Sequence, residues 1–282
     1  MFGLSKFYKR TESQFHSLQQ TADQLRTMQR AMATKMLSDE LERKYPGILN
    51  AHGFSVYSQN NEDGIISSIF ERLQLESIRF FEFGVHVREN NTLLLLLNGA
   101  RGVWFDRSLS RFKQELGDKR NLFIEDAYVS LSNLDKICAE ASRFLNISLG
   151  ELDFLSMDLD GNDYWFVSRI FELGYSPKLL CLEYNAKFPL PLDIKMDYNE
   201  NHRWAVDDYF GCSLQSYINL TGEKYTLIAC TLSGSNCFFL RSDLCDAFRI
   251  YPPETIYMPA RYYLSPYFKG HRSSDGFLKQ LK

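Results

Sequence analysis

Two short segments carry the groups best suited to chemistry. Phe154-Leu155-Ser156-Met157-Asp158-Leu159-Asp160-Gly161-Asn162-Asp163 is an apolar run that delivers two carboxylates two residues apart and then turns at a glycine. Leu180-Cys181-Leu182-Glu183-Tyr184-Asn185 delivers a carboxylate and an amide at the same spacing. If the two runs are adjacent strands, Asp158, Asp160, Glu183 and Asn185 form an oxygen-rich site for Mg²⁺ or Mn²⁺, hard cations that prefer carboxylate and carbonyl oxygens. Without a cation or donors, such a cluster repels itself. The structural alternative is an Asx turn and cap before a helix at Tyr164, which suits Asp163 better than Asp158 or Asp160.

A second constellation has the pattern of a nucleoside site. Glu82-Phe83-Gly84-Val85-His86 closes an apolar run, and Gly84 allows close backbone approach to a ligand. Asp106 follows 22 residues after Gly84, the separation of a carboxylate that receives a ribose diol. Glu125 or Asp126 can hold an adenine amino group or cap the next helix. GxGxxG is absent, with His86 where its second glycine would stand, and so is GxxxxGK[ST]. A dinucleotide oxidoreductase and a P-loop NTPase are therefore disfavoured. A nucleoside cofactor without a pyrophosphate, such as S-adenosyl-L-methionine (SAM), passes this filter.

These groups can converge only if the apolar runs lie side by side. The pattern predicts strands at Ile78–Phe83, Gly102–Phe105, Asn121–Ile124, Leu152–Met157, Lys178–Leu182, Tyr225–Cys230 and Cys237–Leu240. Helices are predicted at 65–70, Asn91–Leu97, Leu109–Leu116, Leu131–Phe144, Tyr164–Leu173 and Leu214–Leu220, the first capped by Asn60 or Asn61. The β-α-β rhythm implies an α/β fold with a mostly parallel sheet covered on both faces. Ligands then bind at the carboxyl ends of the strands, near the switch point. Residues 186–211, with Pro189, Pro191, Trp204 and Tyr209, read as a long insertion over that edge.

Residues 12–44 lack Pro and Gly and read as helix. A heptad frame fits Phe15, Leu18, Ala22, Leu25, Gln29, Met32 and Met36. This helix either packs on its own domain or pairs subunits into a homo-oligomer. Residues 1–50 are thus expected to be a helical extension, and 51–282 one catalytic domain with the 186–211 insertion. The net charge of −3 and the absence of a basic block predict no nucleic-acid partner. The six cysteines show no CxxC spacing and read as buried free thiols. Leu93–Leu97 is too short to span a bilayer and no secretory h-region is seen, so a cytoplasmic protein without a transmembrane segment is expected.

The set Gln59-Asn60-Asn61-Glu62-Asp63-Gly64-Ile65, Phe81–Gly84, Asn90-Asn91-Thr92, Trp104-Phe105-Asp106, Leu155–Trp165 and Glu183-Tyr184-Asn185 resembles the FkbM-like family of class I SAM-dependent methyltransferases. The resemblance extends through Gly211 and Ser235–Phe239 and covers roughly residues 55–245. It implies a Rossmann-like seven-stranded sheet and O-methylation of sugars, glycans or other small-molecule hydroxyls. It also implies a SAM site from Glu82, Gly84, Asn91 and Asp106, with Asp158 near the methionine moiety or the acceptor. Val85-His86 departs from the small residue or glycine common there, so His86 either narrows the SAM loop or faces the acceptor.

Two ways of activating the hydroxyl are open. A divalent cation on Asp158, Asp160, Glu183 and Asn185 can stabilise an alkoxide-like oxygen. Alternatively Asp160, or His202 from the insertion, acts as general base. The rival from another class is a non-catalytic oligomeric binding module on the same fold.

Overall fold

The computed structural model describes residues 2–264 except 87, 88, 108, 111, 112, 115–119 and 206, with side chains from residue 11 onward. Half of the positions of the helix expected over 109–116 lie outside the described residues, as do all of residues 265–282.

Seven strands form one sheet: β1 (Arg79–Phe83), β2 (Arg101–Asp106), β3 (Leu122–Asp126), β4 (Phe154–Met157), β5 (Leu179–Glu183), β6 (Tyr225–Cys230) and β7 (Asn236–Arg241). Their spatial order is β3-β2-β1-β4-β5-β7-β6. The first five are mutually parallel, and β7 runs antiparallel to both β5 and β6. The chain builds outward from β1 in one direction and then from β4 in the other, so the switch point lies between β1 and β4. The mixed sheet with helices on both faces is consistent with a Rossmann-like fold.

The strands are apolar on both faces because both faces are covered. Phe81 and Phe83 enter one core with α4 (Leu134–Leu145), α5 (Asp163–Glu172) and α6 (Leu214–Thr221). Phe80, Trp104 and Phe154 enter the other with α2 (Glu62–Leu73) and α3 (Leu93–Leu97). Each such fully buried aromatic stabilises the fold by about 1.5–3 kcal/mol. A buried carboxylate brackets the amino edge of the sheet. Asp153 accepts from Arg79 Nε at 3.2 Å and from Lys178 Nζ at 2.7 Å, tying the starts of β1, β4 and β5 together. The carboxyl edge is left for the site.

Some helix starts differ from the sequence reading. Asn61 stands at the N-cap position of α2 with φ 71° but makes no capping bond through its side chain. Ser58 Oγ accepts from the Asp63 amide at 3.0 Å instead, while Asp63 Oδ2 gathers the amides of Val56, Tyr57 and Ser58. α3 begins two residues later than expected because Asn90 Oδ1 accepts from the amides of Thr92 and Leu93.

The first helix, α1 (Phe2–Lys44), is longer than expected, at 43 residues. Ala33, Leu37 and Leu41 pack it on the domain. From residue 11 to residue 32, all side chains but Ala22 and Arg30 are exposed. Among the described residues no helix is long and apolar enough to cross a membrane. All six cysteines are free, and five of them are buried.

Candidate functional site

A cavity of about 1060 Å³ opens at the carboxyl edge over the β1/β4 switch point. The segments that follow β1 to β5 all reach it, and the 186–211 insertion forms its far wall.

The β1 side is a hydrogen-bonded loop. Glu82 sits at the end of β1 and is 2 % exposed. Its Oε1 accepts from the Asn91 amide at 2.7 Å, and its Oε2 accepts from Thr92 Oγ1. Thr92 Oγ1 in turn accepts from Trp104 Nε1 at 2.8 Å. Burial pushes the Glu82 carboxyl up to about 7, against the opposing pull of the donors from Thr92 and Asn91. Asn91 Nδ2 reaches Ser156 Oγ at 3.1 Å and Cys181 Sγ at 3.7 Å. Gly84 follows with φ 83°, a conformation that disfavours a side chain. Its amide donates to Phe105 O at 3.0 Å.

The opposite side is acidic. Carboxylate oxygens of Asp158, Asp160 and Glu183 lie within 4.8 Å of one another. Asp158 follows β4 directly, and Glu183 ends β5. Asp160 takes φ 56°, a left-handed turn that Asp tolerates better than most residues, and lines the open cavity where water reaches it. Burial, followed by the charges of Asp160 and Asp163, holds Asp158 well above the usual carboxylate range. Burial and the charge of Asp158 do the same to Glu183. Asp160 is raised by burial and by Asp163, with His202 opposing. Glu183 Oε2 is buried and finds no hydrogen-bond partner. Three carboxylates this close cannot all be ionised cheaply unless positive charge joins them.

Asp163 is structural, but as the first residue of α5 and not as its cap or an Asx turn. Its two oxygens accept from the amides of Leu159 at 2.7 Å and Gly161 at 2.9 Å, which fixes the turn that carries Asp160. The insertion is laced to that turn. Asn162 and Asn199 exchange hydrogen bonds of 2.8 and 3.0 Å, and the Gly211 amide donates to Gly161 O at 3.0 Å. His202 stacks so closely over Gly161 that a Cβ there would lie 2.6 Å from its Cδ2. Its Nε2 is buried without a hydrogen-bond partner, and the ring lines the cavity.

Asp158, Asp160, Glu183, His202, Glu82, Gly84, His86, Asn91 and Asp106 therefore all line one cavity. Three expected residues do not. Asn185 is fully buried outside the acidic group, and its Nδ2 donates to Asp208 O at 2.9 Å and Phe210 O at 3.4 Å. It anchors the insertion. Glu125 lies within β3, and Asp126 Oδ1 accepts from the Leu109 amide at 3.1 Å, in a segment that precedes β3 and not in the helix that follows it. Tyr128 and Val129, just beyond them, line the cavity in their place.

The sequence reading also missed residues. Asn60 and Glu62 reach the inner end of the cavity. Glu62 Oε1 accepts from Asn236 Nδ2 at 2.6 Å, a partner 174 positions away. The dense polar run before α2 was the only local signal. Arg107, Lys187 and Arg203 add cationic groups to the wall.

No family model matches the chain, and no curated protein matches it. Solved structures do. One is a DUF574 family protein from Streptomyces avermitilis, 13 % identical with a TM-score of 0.42, over 72 % of this chain and 88 % of that one.

Proposed function

We propose that the protein is a SAM-dependent O-methyltransferase acting on a hydroxyl of a sugar, glycan or small molecule, assisted by Mg²⁺ or Mn²⁺. One observation carries this reading: a single cavity joins the Gly84–Asn91–Asp106 side to the Asp158–Asp160–Glu183 side across the switch point. A seven-stranded Rossmann-like sheet is also what the likeness to class I SAM-dependent methyltransferases implies. Ligand pockets commonly measure about 300–1,000 Å³. The volume here is large enough for a nucleoside cofactor with an acceptor beside it.

The residues present fit both groups. Asp106 at the tip of β2 suits a ribose diol, and the cavity has no glycine-rich turn for a pyrophosphate. Asp158, Asp160 and Glu183 suit a divalent cation, which would offset their mutual repulsion and engage the orphaned Glu183 Oε2. When bound, SAM supplies a methyl group that leaves sulfur as the acceptor oxygen takes it, and the cation lowers the pKa of the acceptor hydroxyl.

The chain's own groups do the rest. Where Asp160 does not ligate the cation, its carboxylate, open to the cavity, would accept the hydroxyl proton. His202 covers Gly161 and stands beside Asp160. Trp204, which lines the cavity and is 45 % exposed, offers an aromatic face to a sugar ring, and Tyr209 packs edge-on against His202. The Asn162–Asn199 lacing holds the insertion over the reacting groups and helps exclude water.

The alternative is a non-catalytic oligomeric binding module, to which the exposed length of α1 is equally suited. Titration calorimetry with SAM and S-adenosylhomocysteine separates the two. Binding with Kd in the range of about 1 μM–1 mM, weakened tenfold or more by Asp106→Ala, is expected. No heat at about 1 mM of either ligand overturns the methyltransferase reading.

A further inference from the structure

We propose that α1 pairs with α1 of a second copy as a parallel, in-register two-stranded coiled coil over Phe15–Met36. Among the described residues, the large apolar side chains of this segment are left exposed, while Ala33 packs on the domain. Phe15, Leu18, Leu25, Met32 and Met36 are 68 %, 70 %, 55 %, 63 % and 70 % exposed. Between residues 11 and 32 the side-chain hydrogen bonds described stay within the helix, as Thr21 to Ser17 O and Thr27 to Asp23 O illustrate. A helix of that length without tertiary contacts is marginal in water.

These five residues fall on a seam with a period of 3.5, which Met28, 62 % exposed, flanks at a g position. In heptad positions, a is Phe15, Ala22, Gln29 and Met36, and d is Leu18, Leu25 and Met32. A strict a/d stripe is narrower than the face a helix turns to its own domain. The domain-facing residues Ala33, Leu37 and Leu41 lie on a different side, at i, i+4 and i+8. The next d position is Asp39, 60 % exposed at its side chain. Its charge ends the seam where the helix docks on the domain.

Area and polarity commit the seam to a second copy. The a and d side chains offer roughly 700 Å² per helix, so a pair would bury about 1,400 Å², within the range of stable interfaces. Gln29 is the single polar residue in the seam. In a parallel, in-register pair it meets its own copy, and two side-chain amides satisfy each other. In an antiparallel pair a faces d, and Gln29 would be buried against Leu or Met without a partner. Charge does not oppose the parallel choice: no g–e pair within Phe15–Met36 brings like charges together, and Lys35 is paired with Asp39 of its own helix.

Sedimentation equilibrium of the full chain is expected to give twice the 32.9 kDa chain mass. The double variant Leu25→Glu, Met32→Glu changes exposed positions only and should be monomeric, with the thermal unfolding of the domain unchanged. The Gln29→Cys variant should cross-link to its own copy under mild oxidation, under conditions where the unsubstituted chain does not. A monomeric or higher-order wild type overturns the proposal. So does a dimer that survives the double substitution, or a Gln29→Cys dimer that fails to cross-link. None of these outcomes depends on SAM binding, so the assembly and the catalytic reading fail separately.

Discussion

A Cβ on Gly84 would lie 1.5 Å from the carbonyl oxygen of Asp158. The glycine therefore serves the meeting of β1 and β4, in addition to any ligand above it. The Asp158 amide donates to Phe83 O at 3.0 Å, so the two strand ends are drawn together where the acidic group begins. Gly84→Ala combines a left-handed φ of 83° with that collision. The expected loss is about 3 kcal/mol or more of unfolding free energy, together with loss of SAM binding. Urea unfolding measures it, and a loss below about 0.5 kcal/mol would show that the strand ends part easily.

Metal-free stability should depend on pH through the acidic group. Asp158, Asp160 and Glu183 are all raised by burial and by one another or by Asp163. From their unfolded values near about 4 upward, the folded protein then binds more protons than the unfolded chain. Stability must fall as pH rises through that window. The melting temperature without metal is expected to drop from pH 5 to pH 8. Mn²⁺ at a hundred times its pH 8 Kd should return about 2.7 kcal/mol at pH 8 and less at pH 5, where protons compete with the metal for the raised carboxyls. Glu183→Gln should flatten the slope and weaken the Mn²⁺ response. An unchanged slope in that variant would remove Glu183 from the group.

Asn185 can be separated from the metal by experiment. Asn185→Ala removes the donors to Asp208 O and Phe210 O at a fully buried position. Leaving those carbonyls unpaired costs about 1–3 kcal/mol. The freed insertion should raise KM for the acceptor. Mn²⁺ affinity should stay within twofold of wild type, and a tenfold loss in a calorimetric titration would restore Asn185 to the ligand set.

The fate of Asn185 also shows where reading the sequence stops. All seven strands were legible, because each is a short apolar run between turn residues and both faces of the sheet are covered. Period-two spacing then put Glu183 and Asn185 on one face. That rule holds only inside a strand, and β5 ends at Glu183; the Asn185 amide already donates to Cys212 O at 2.7 Å. Asp158 and Asp160 lie beyond β4 as well, and they converge through the φ of 56° at Asp160, which spacing alone does not reveal. Glu125 and Asp126 failed the other way, because β3 runs on through Asp126 and delivers Tyr128 to the cavity. Glu62 was readable only as a polar residue in a helix start. Its partner Asn236 is brought to it by the insertion of β7 beside β5.

Glu82 connects the site to a spectroscopic probe. Its carboxylate accepts from Thr92, which accepts from the indole of the fully buried Trp104. With its carboxyl pushed up to about 7, Glu82 changes charge in the neutral range. Ionisation strengthens its hydrogen bonds to the Asn91 amide and the Thr92 hydroxyl, and this redistribution reaches the indole through one oxygen. The Trp104 Nε1 proton resonance is expected to titrate with a midpoint near pH 7. Because the folded-state value exceeds the unfolded one, the same group favours folding at low pH, and its contribution is lost as pH rises through 7. Glu82→Gln should abolish the titration of Trp104 and flatten that part of the stability profile, while Glu183→Gln should leave the Trp104 midpoint in place. An indole signal that does not move between pH 5 and 9 would show that Glu82 keeps one charge state, and the 90–92 loop would then be indifferent to pH.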